Sequence, residues 1–356
     1  MVGRASTPGR RGRPRQAEVA RLAGVSQTTV SLVLGGNKQG IALHEDTRAR
    51  VLAAARELGY VPDPAARRMA RARNNLLGVF SFTATFPVDV EHSYYPILVG
   101  VEREAVARGY DLVLFTGSSS GPAQTVAPGA LQRVRMADGC LFLGRHIPEG
   151  ELRRLVDDNF PAVHIGRRDE LEGLAWVGVD YVSASAEVVR HLAGLGHRRI
   201  VLVRESDDAP ASADRERGFR MALAELGGPN GAAVVRTARP GADITPAWVR
   251  ARVAEGVTAF VAEETDTGAA WRQLLAAVNG AGLDVPGEVS LALLGSPPAD
   301  LAGRPQPTGF DVPRAELGSA AVRMATALLA GEEAAEPLVA CTFRPGRTAG
   351  PAPGRP

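Results

Sequence analysis

From Leu76 onward the chain repeats one unit, a short apolar run followed by a longer amphipathic stretch. The runs are LLGVFSF, DLVLFT, GCLFLG, PAVHIG, RIVLVR, AAVVRT, AFVAEE and VSLALLG. They are apolar at nearly every position, as strands buried on both faces must be. Between them lie stretches with helical spacing, including Tyr95–Arg108, Ser183–Leu195 and Arg215–Leu226. Parallel strands need a crossover, and a helix is its usual form, so this alternation predicts a doubly wound α/β body.

The first 73 residues follow another rule. They carry thirteen arginines and Lys38 against five acidic residues, a net charge of +9, within a chain whose total is only +2. A small basic head on an acidic body points to a polyanion-binding module joined to something else. Residues 1–14 are rich in Gly, Pro and Arg and read as a disordered basic arm. Their Arg11-Gly12-Arg13-Pro14 is similar to the core of an AT-hook, but a flexible arm making phosphate contacts suffices to explain them.

From Arg15 the head becomes helical. Val19, Leu22 and Ala23 give a first helix one apolar face, and Gly24 supplies a tight turn. Ser26 is an N-cap for a second helix from Gln27 to about Leu34, with Val30, Val33 and Leu34 inward. Gln27, Thr28, Ser31 and Leu32 then point outward. A third helix covers Thr47 to Gly59. Three short helices, the second showing small hydrogen-bonding side chains at its start, make a helix-turn-helix that lets its backbone approach base edges in the major groove.

The segment EVARLAGVSQTTVSLVL, followed by HEDTRARVLAAARELGYVPDPAARRMAR, resembles the DNA-binding headpiece of the LacI/GalR (lac repressor) family of bacterial transcription regulators. The resemblance implies an N-terminal all-α helix-turn-helix headpiece plus an α/β two-lobe, periplasmic-binding-protein-like effector domain. The expected DNA-binding residues are Ser26, Gln27, Thr28, Thr29, Ser31 and Leu32, with Gln27 and Thr28 reading bases. Leu32 stands where the family often has Arg, so the operator should differ from the common one. Residues 63–75 resemble the hinge helix. There Met69 takes the place of a wedge in the minor groove, or packs on a partner's hinge, and Arg67, Arg68 and Arg71 face phosphates.

The implied organisation is a helix-turn-helix domain at 15–62, the hinge at 63–75, and an effector-binding and dimerisation domain at 76–345. Its lobes would be 76–177 plus 312–334, and 180–307 plus 335–345, with a disordered tail at 346–356. The resemblance points to a cleft lined by Tyr95, Arg167, Asp180, Arg215 and Asp266. It also shows departures. Gly166-Arg167 replaces an Asp-Arg pair, AEETDTGAA replaces an Asn-Asp pair, and Leu293-Leu294-Gly295 replaces Gly-Phe-Asp. Glu263, Glu264 and Asp266 are the candidate replacements. Carboxylates at such positions fix sugar hydroxyls, so their loss argues against an ordinary sugar.

The expected partners are a double-stranded DNA operator, a small-molecule effector (sugar-like or an organic anion) and a second copy of the chain. No membrane partner, metal or cofactor is expected. Cys140 and Cys341 sit in apolar runs and read as thiols of a reducing cytoplasm. His146, His164, His191 and His197 are scattered without metal-ligand spacing, and neither a G-x-S-x-G elbow nor a Walker loop occurs. A catalytic constellation is therefore missing from an enzyme reading, and an export signal from a solute-binding reading. A regulator with a degenerate, ligand-independent effector domain is the remaining alternative.

Overall fold

The computed structural model describes residues 14–35, 43–60, 73–82, 94–115, 129–144, 149–227, 234–265, 268–301, 305–333 and 337–354. The chain divides into two compact units, residues 1–74 and 75–356.

In the first unit, helices α1 (Gln16–Ala23), α2 (Gln27–Gly35) and α3 (Glu45–Glu57) enclose a small core. Its buried members are Val19, Ala20, Ala23, Val30, Val51, Ala54 and Ala55. Leu22 was expected inward but is 46% exposed, and Ala20 takes the inward place. The core is thin, and alanines let the three short helices approach closely. Gly24 ends α1 at φ 65°, where the Val25 amide returns to the Ala20 carbonyl at 3.0 Å.

The second unit holds two six-stranded sheets. The first runs β11-β5-β4-β3-β1-β2, comprising β1 (Leu76–Ser81), β2 (Asp111–Phe115), β3 (Gly139–Leu143), β4 (Ala162–Ile165), β5 (Ala175–Val179) and β11 (Leu338–Val339). All its pairings are parallel. The second runs β12-β10-β9-β8-β6-β7, from β6 (Ile200–Glu205), β7 (Val234–Thr237), β8 (Ala259–Glu263), β9 (Ser290–Leu294), β10 (Thr308–Asp311) and β12 (Thr342–Arg344). Only β12 is antiparallel to its neighbour. All eight apolar runs are strands, and strands β1, β3, β8 and β9 are buried at nearly every residue.

Helices α4 (Tyr95–Ala107), α5 (Glu149–Asp157), α6 (Tyr181–Gly194), α7 (Pro210–Glu225), α8 (Pro240–Asp243), α9 (Pro246–Ala254), α10 (Ala269–Gly280) and α11 (Arg314–Ala330) complete the unit. Helix α4 lies hard against α11. A Cβ on Gly100 would stand 1.8 Å from the Ala315 carbonyl oxygen, and one on Gly318 would stand 2.1 Å from that of Ile97. Glycine is required at both crossings.

The chain passes between the sheets near Asp180, Val312 and Ala340. Two expected boundaries differ. Residues 335–345 were assigned whole to the second lobe, yet β11 pairs with β5, Leu338 opposite Gly178, so the last crossing falls at about 340. Two residues are too few to show as an apolar run. Nor is 346–354 a disordered tail. The Leu291 amide donates to the Thr348 carbonyl at 2.7 Å, and Thr348 Oγ1 donates to the Leu291 carbonyl at 2.7 Å. The Gly350 amide donates to Ser290 Oγ at 3.0 Å, and the Gly350 carbonyl accepts from His197 Nε2 at 3.0 Å. Gly and Pro suggested disorder, but this segment pairs buried polar groups that would otherwise be orphaned.

Candidate functional site

In the head, Thr29 N–H donates to Ser26 Oγ at 3.1 Å, and the two hydroxyls lie 2.9 Å apart. Ser26 and Thr29 are thus engaged with each other as the helix cap. Gln27, Thr28 and Ser31 are exposed, while Leu32 is half-buried. The first turn of α2 carries no acidic residue. The positive dipole end of the helix favours an anion there. Arg67, Arg68, Met69 and Arg71 lie outside the described residues.

In the body, a cleft opens between the two sheets at the carboxyl ends of their strands, where open α/β sheets bind ligands. Its volume is about 170 Å³. The first lobe contributes Tyr94, His164, Arg167, Arg168 and Arg314, and the second Tyr181, Asp214, Arg215, Glu264 and Thr265.

Two ion pairs cross this cleft. Arg167, just after β4, forks onto Asp214 of α7, with Nε 2.8 Å from Oδ2 and Nη2 2.7 Å from Oδ1. It also pairs with Asp169 on its own lobe, and both carboxylates hold its pKa above the ordinary value against the opposing effect of burial. Arg314, at the start of α11, bonds Glu264, which follows β8.

Arg215 is buried, its guanidinium carbon 3.7 Å from the Tyr181 ring centroid. Its Nε donates to the Leu294 carbonyl at 2.9 Å and Nη1 to the Ala211 carbonyl at 3.2 Å, while Nη2 stands 3.5 Å from Glu264 Oε2. Burial pushes the Tyr181 hydroxyl up. His164 is fully buried, and burial lowers its pKa to about 3. The ring is therefore neutral, with its proton on Nδ1, 2.8 Å from the accepting Gly166 carbonyl.

The cleft gathers Arg167 and Arg215 as expected sites but departs at two others. Tyr95 is 68% exposed, and its neighbour Tyr94 lines the cleft instead. Tyr95 opens α4, so one residue of offset turns the side chain by roughly 100°. Asp180 caps α6, its Oδ1 accepting from the Ser183 amide at 2.9 Å, and is absent from the cleft wall. Asp266 lies outside the described residues. Of the suggested replacements, Glu264 lines the cleft, whereas Glu263 is buried behind it and accepts from the Glu205 amide at 2.7 Å. The sequence reading missed His164, Tyr181, Asp214 and Arg314. Only Asp214 carried a signal, as the acid beside Arg215.

Among the described residues, no group of three or more His, Cys, Asp or Glu could hold a metal ion, and no helix is long and apolar enough to cross a membrane. Two family models match the chain. Residues 17–63 match "Bacterial regulatory proteins, lacI family" and residues 189–348 match "Periplasmic binding protein-like domain".

The chain carries a DNA-binding domain of the lacI family of bacterial regulatory proteins together with a periplasmic-binding-protein-like domain.

Curated relatives agree. The HTH-type transcriptional regulator CelR of Thermobifida fusca is 32% identical over 220 residues, 61% of this chain and 63% of that one, so this alignment spans under two thirds of the relative. Catabolite control protein A of Streptococcus mutans is 28% identical over 322 residues, 90% of this chain and 92% of that one. Among solved structures, the lac repressor dimer bound to operator and the anti-inducer ONPF superposes with a TM-score of 0.73 at 20% identity, covering 95% of this chain and all of that one. That likeness establishes the fold: a LacI-type helix-turn-helix head and a two-lobe α/β body.

Proposed function

We propose that this LacI-family chain is a dimeric repressor of transcription that binds a palindromic operator through α2 and is controlled by a small-molecule effector in the inter-lobe cleft. The observation that carries the reading is the outward set Gln27, Thr28 and Ser31 on a capped helix, within a segment matching the family's DNA-binding domain. One such helix reads too few base pairs to be specific alone, so two heads on inverted half-sites are needed. Action on DNA places the protein in the cytoplasm, and catalysis has no part in this reading. The solved CelR relative is described as a cellobiose complex and the lac repressor as bound to operator. Both support a two-ligand logic here without naming this chain's effector.

Selection of bound DNA from a random pool tests the proposal. The expected product is two inverted half-sites around a deformable pyrimidine–purine step. Recovery of single asymmetric half-sites at full affinity would reject it. A second reading, a cleft that has become ligand-independent, is favoured by the two ion pairs that already close it from within. Repeating the selection with metabolite pools present separates the two, since a ligand-independent regulator returns the same sites at the same yield.

A further inference from the structure

Among the described residues, six charged side chains line the cleft: Arg167, Arg168, Arg215 and Arg314 against Asp214 and Glu264. His164 is held neutral by burial and adds no charge. The wall itself thus holds two more cations than anions, with Asp169 and Glu170 beside Arg167 and Arg168 from outside it, in a chain whose body beyond residue 73 is net acidic. The carboxylates are also committed. Asp214 is forked by Arg167, and Glu264 is bonded to Arg314. Each carboxylate already carries an arginine, so the buried side-chain acceptors left for a neutral sugar's hydroxyl protons among the described residues of the cleft are Glu264 Oε2 and His164 Nε2. Arg215, by contrast, lacks a close carboxylate among the described residues. Arg215 Nη2 has only the 3.5 Å approach of Glu264 Oε2, beyond good hydrogen-bond length, and that buried oxygen has no hydrogen-bond partner.

From this geometry we infer, building on the effector-controlled reading above, that the cleft takes a compact organic anion whose carboxylate or phosphate displaces Glu264 from Arg215 and Arg314. A planar or tetrahedral oxyanion fits the guanidinium forks better than one side-chain carboxylate shared between them does. The cleft's 170 Å³ is small beside the ~300–1,000 Å³ of sites for drug-sized ligands, which favours a sugar acid, hydroxy acid or single sugar phosphate over an oligosaccharide. Exchanging one anion for another also ties the effector to the cross-lobe pairing, because Glu264 and Arg314 sit on opposite lobes.

Calorimetry on the full-length protein decides it. Sugar acids, hydroxy acids and sugar phosphates are each titrated beside their neutral parents, for example gluconate and glucose 6-phosphate beside glucose. At least one acid should bind ten times more tightly than its parent and weaken as salt rises, with the carboxylate and phosphate arms telling the two anions apart. Glu264→Gln, which keeps the volume and removes the competing charge, should tighten that acid about tenfold, and Arg215→Gln should weaken it at least tenfold. Equal or tighter binding of a neutral parent overturns the inference, as does weaker anion binding by Glu264→Gln. If no acid binds while the same preparation holds its operator specifically, the inference fails and the DNA-binding reading stands. Loss of operator binding would remove that reading and the inference with it. Should Glu264→Gln fail to fold, the wild-type comparison of acid and parent decides alone.

Discussion

Arg167 and Asp214 face each other across the cleft with two parallel hydrogen bonds, at 2.8 and 2.7 Å, one residue from each lobe. The arginine side chain is 22% exposed and the aspartate 5%, so water screens the pair only partly. Asp214→Asn keeps the shape and removes the charge. It should cost about 1–3 kcal/mol, as for a hydrogen bond to a charged group, and allow the lobes to separate. Urea denaturation reads the first effect and small-angle scattering the second. An unchanged radius of gyration would show that the lobes are held without this pair.

Two neighbours on α2 should separate specificity from stability. Gln27 is exposed, and Gln27→Ala should alter base preference at one position per half-site at a cost of about 1–3 kcal/mol. Ser26 caps the helix through the Thr29 amide, and Ser26→Ala should lower head stability by about 0.5–2 kcal/mol. Its loss of DNA affinity should be uniform across operator variants. Binding measured on a panel of single-base operator variants distinguishes the two patterns.

Acid should weaken the body through His164. Its folded pKa of about 3 lies below the ordinary 6.5, so the unfolded chain binds the proton more readily. The contribution is whole above pH 6.5 and is lost as pH falls from 6.5 toward 3, by up to about 1.4 kcal/mol per pH unit. Denaturation midpoints at pH 7.5 and 5.0 should differ more for the wild type than for His164→Gln. Equal pH sensitivity would place the loss on other groups.

The C-terminal segment should be structural. Thr348→Val removes the acceptor of the buried Thr308 amide, 3.0 Å away, and the donor to the Leu291 carbonyl. Leaving a buried polar group unpaired costs about 1–3 kcal/mol. Truncation before Gly346 also strips His197 and Ser290 of their bonds to Gly350 and should lower the melting temperature further than Thr348→Val does. A truncated protein melting with the wild type would contradict the pairing.

Much of this was legible in the sequence because it depends on local pattern. Buried parallel strands must be apolar throughout, and a helix that meets DNA must carry small polar groups at a capped start, so both left clear traces. Arg215 and Arg167 stood out through the family resemblance. The cross-cleft pairings did not, because Asp214 lies 47 residues from Arg167 and Glu264 lies 50 from Arg314, separations no local pattern encodes. Asp180 misled because one carboxylate can serve as helix cap or as ligand contact, and only the observed bond to the Ser183 amide decides. The register of Tyr94 against Tyr95 turned on where α4 begins.

The interleaving of the lobes sets an order for biosynthesis. The first sheet is incomplete until β11 is made, and the second until β12 and the segment around Thr348 and Gly350 have followed. The head, by contrast, is one continuous stretch made before the body. A nascent chain therefore owns a complete three-helix head while both lobes of its body still lack strands. On the proposed reading, DNA specificity and effector control arrive together, because a lone head reads too few base pairs and must wait for a second chain.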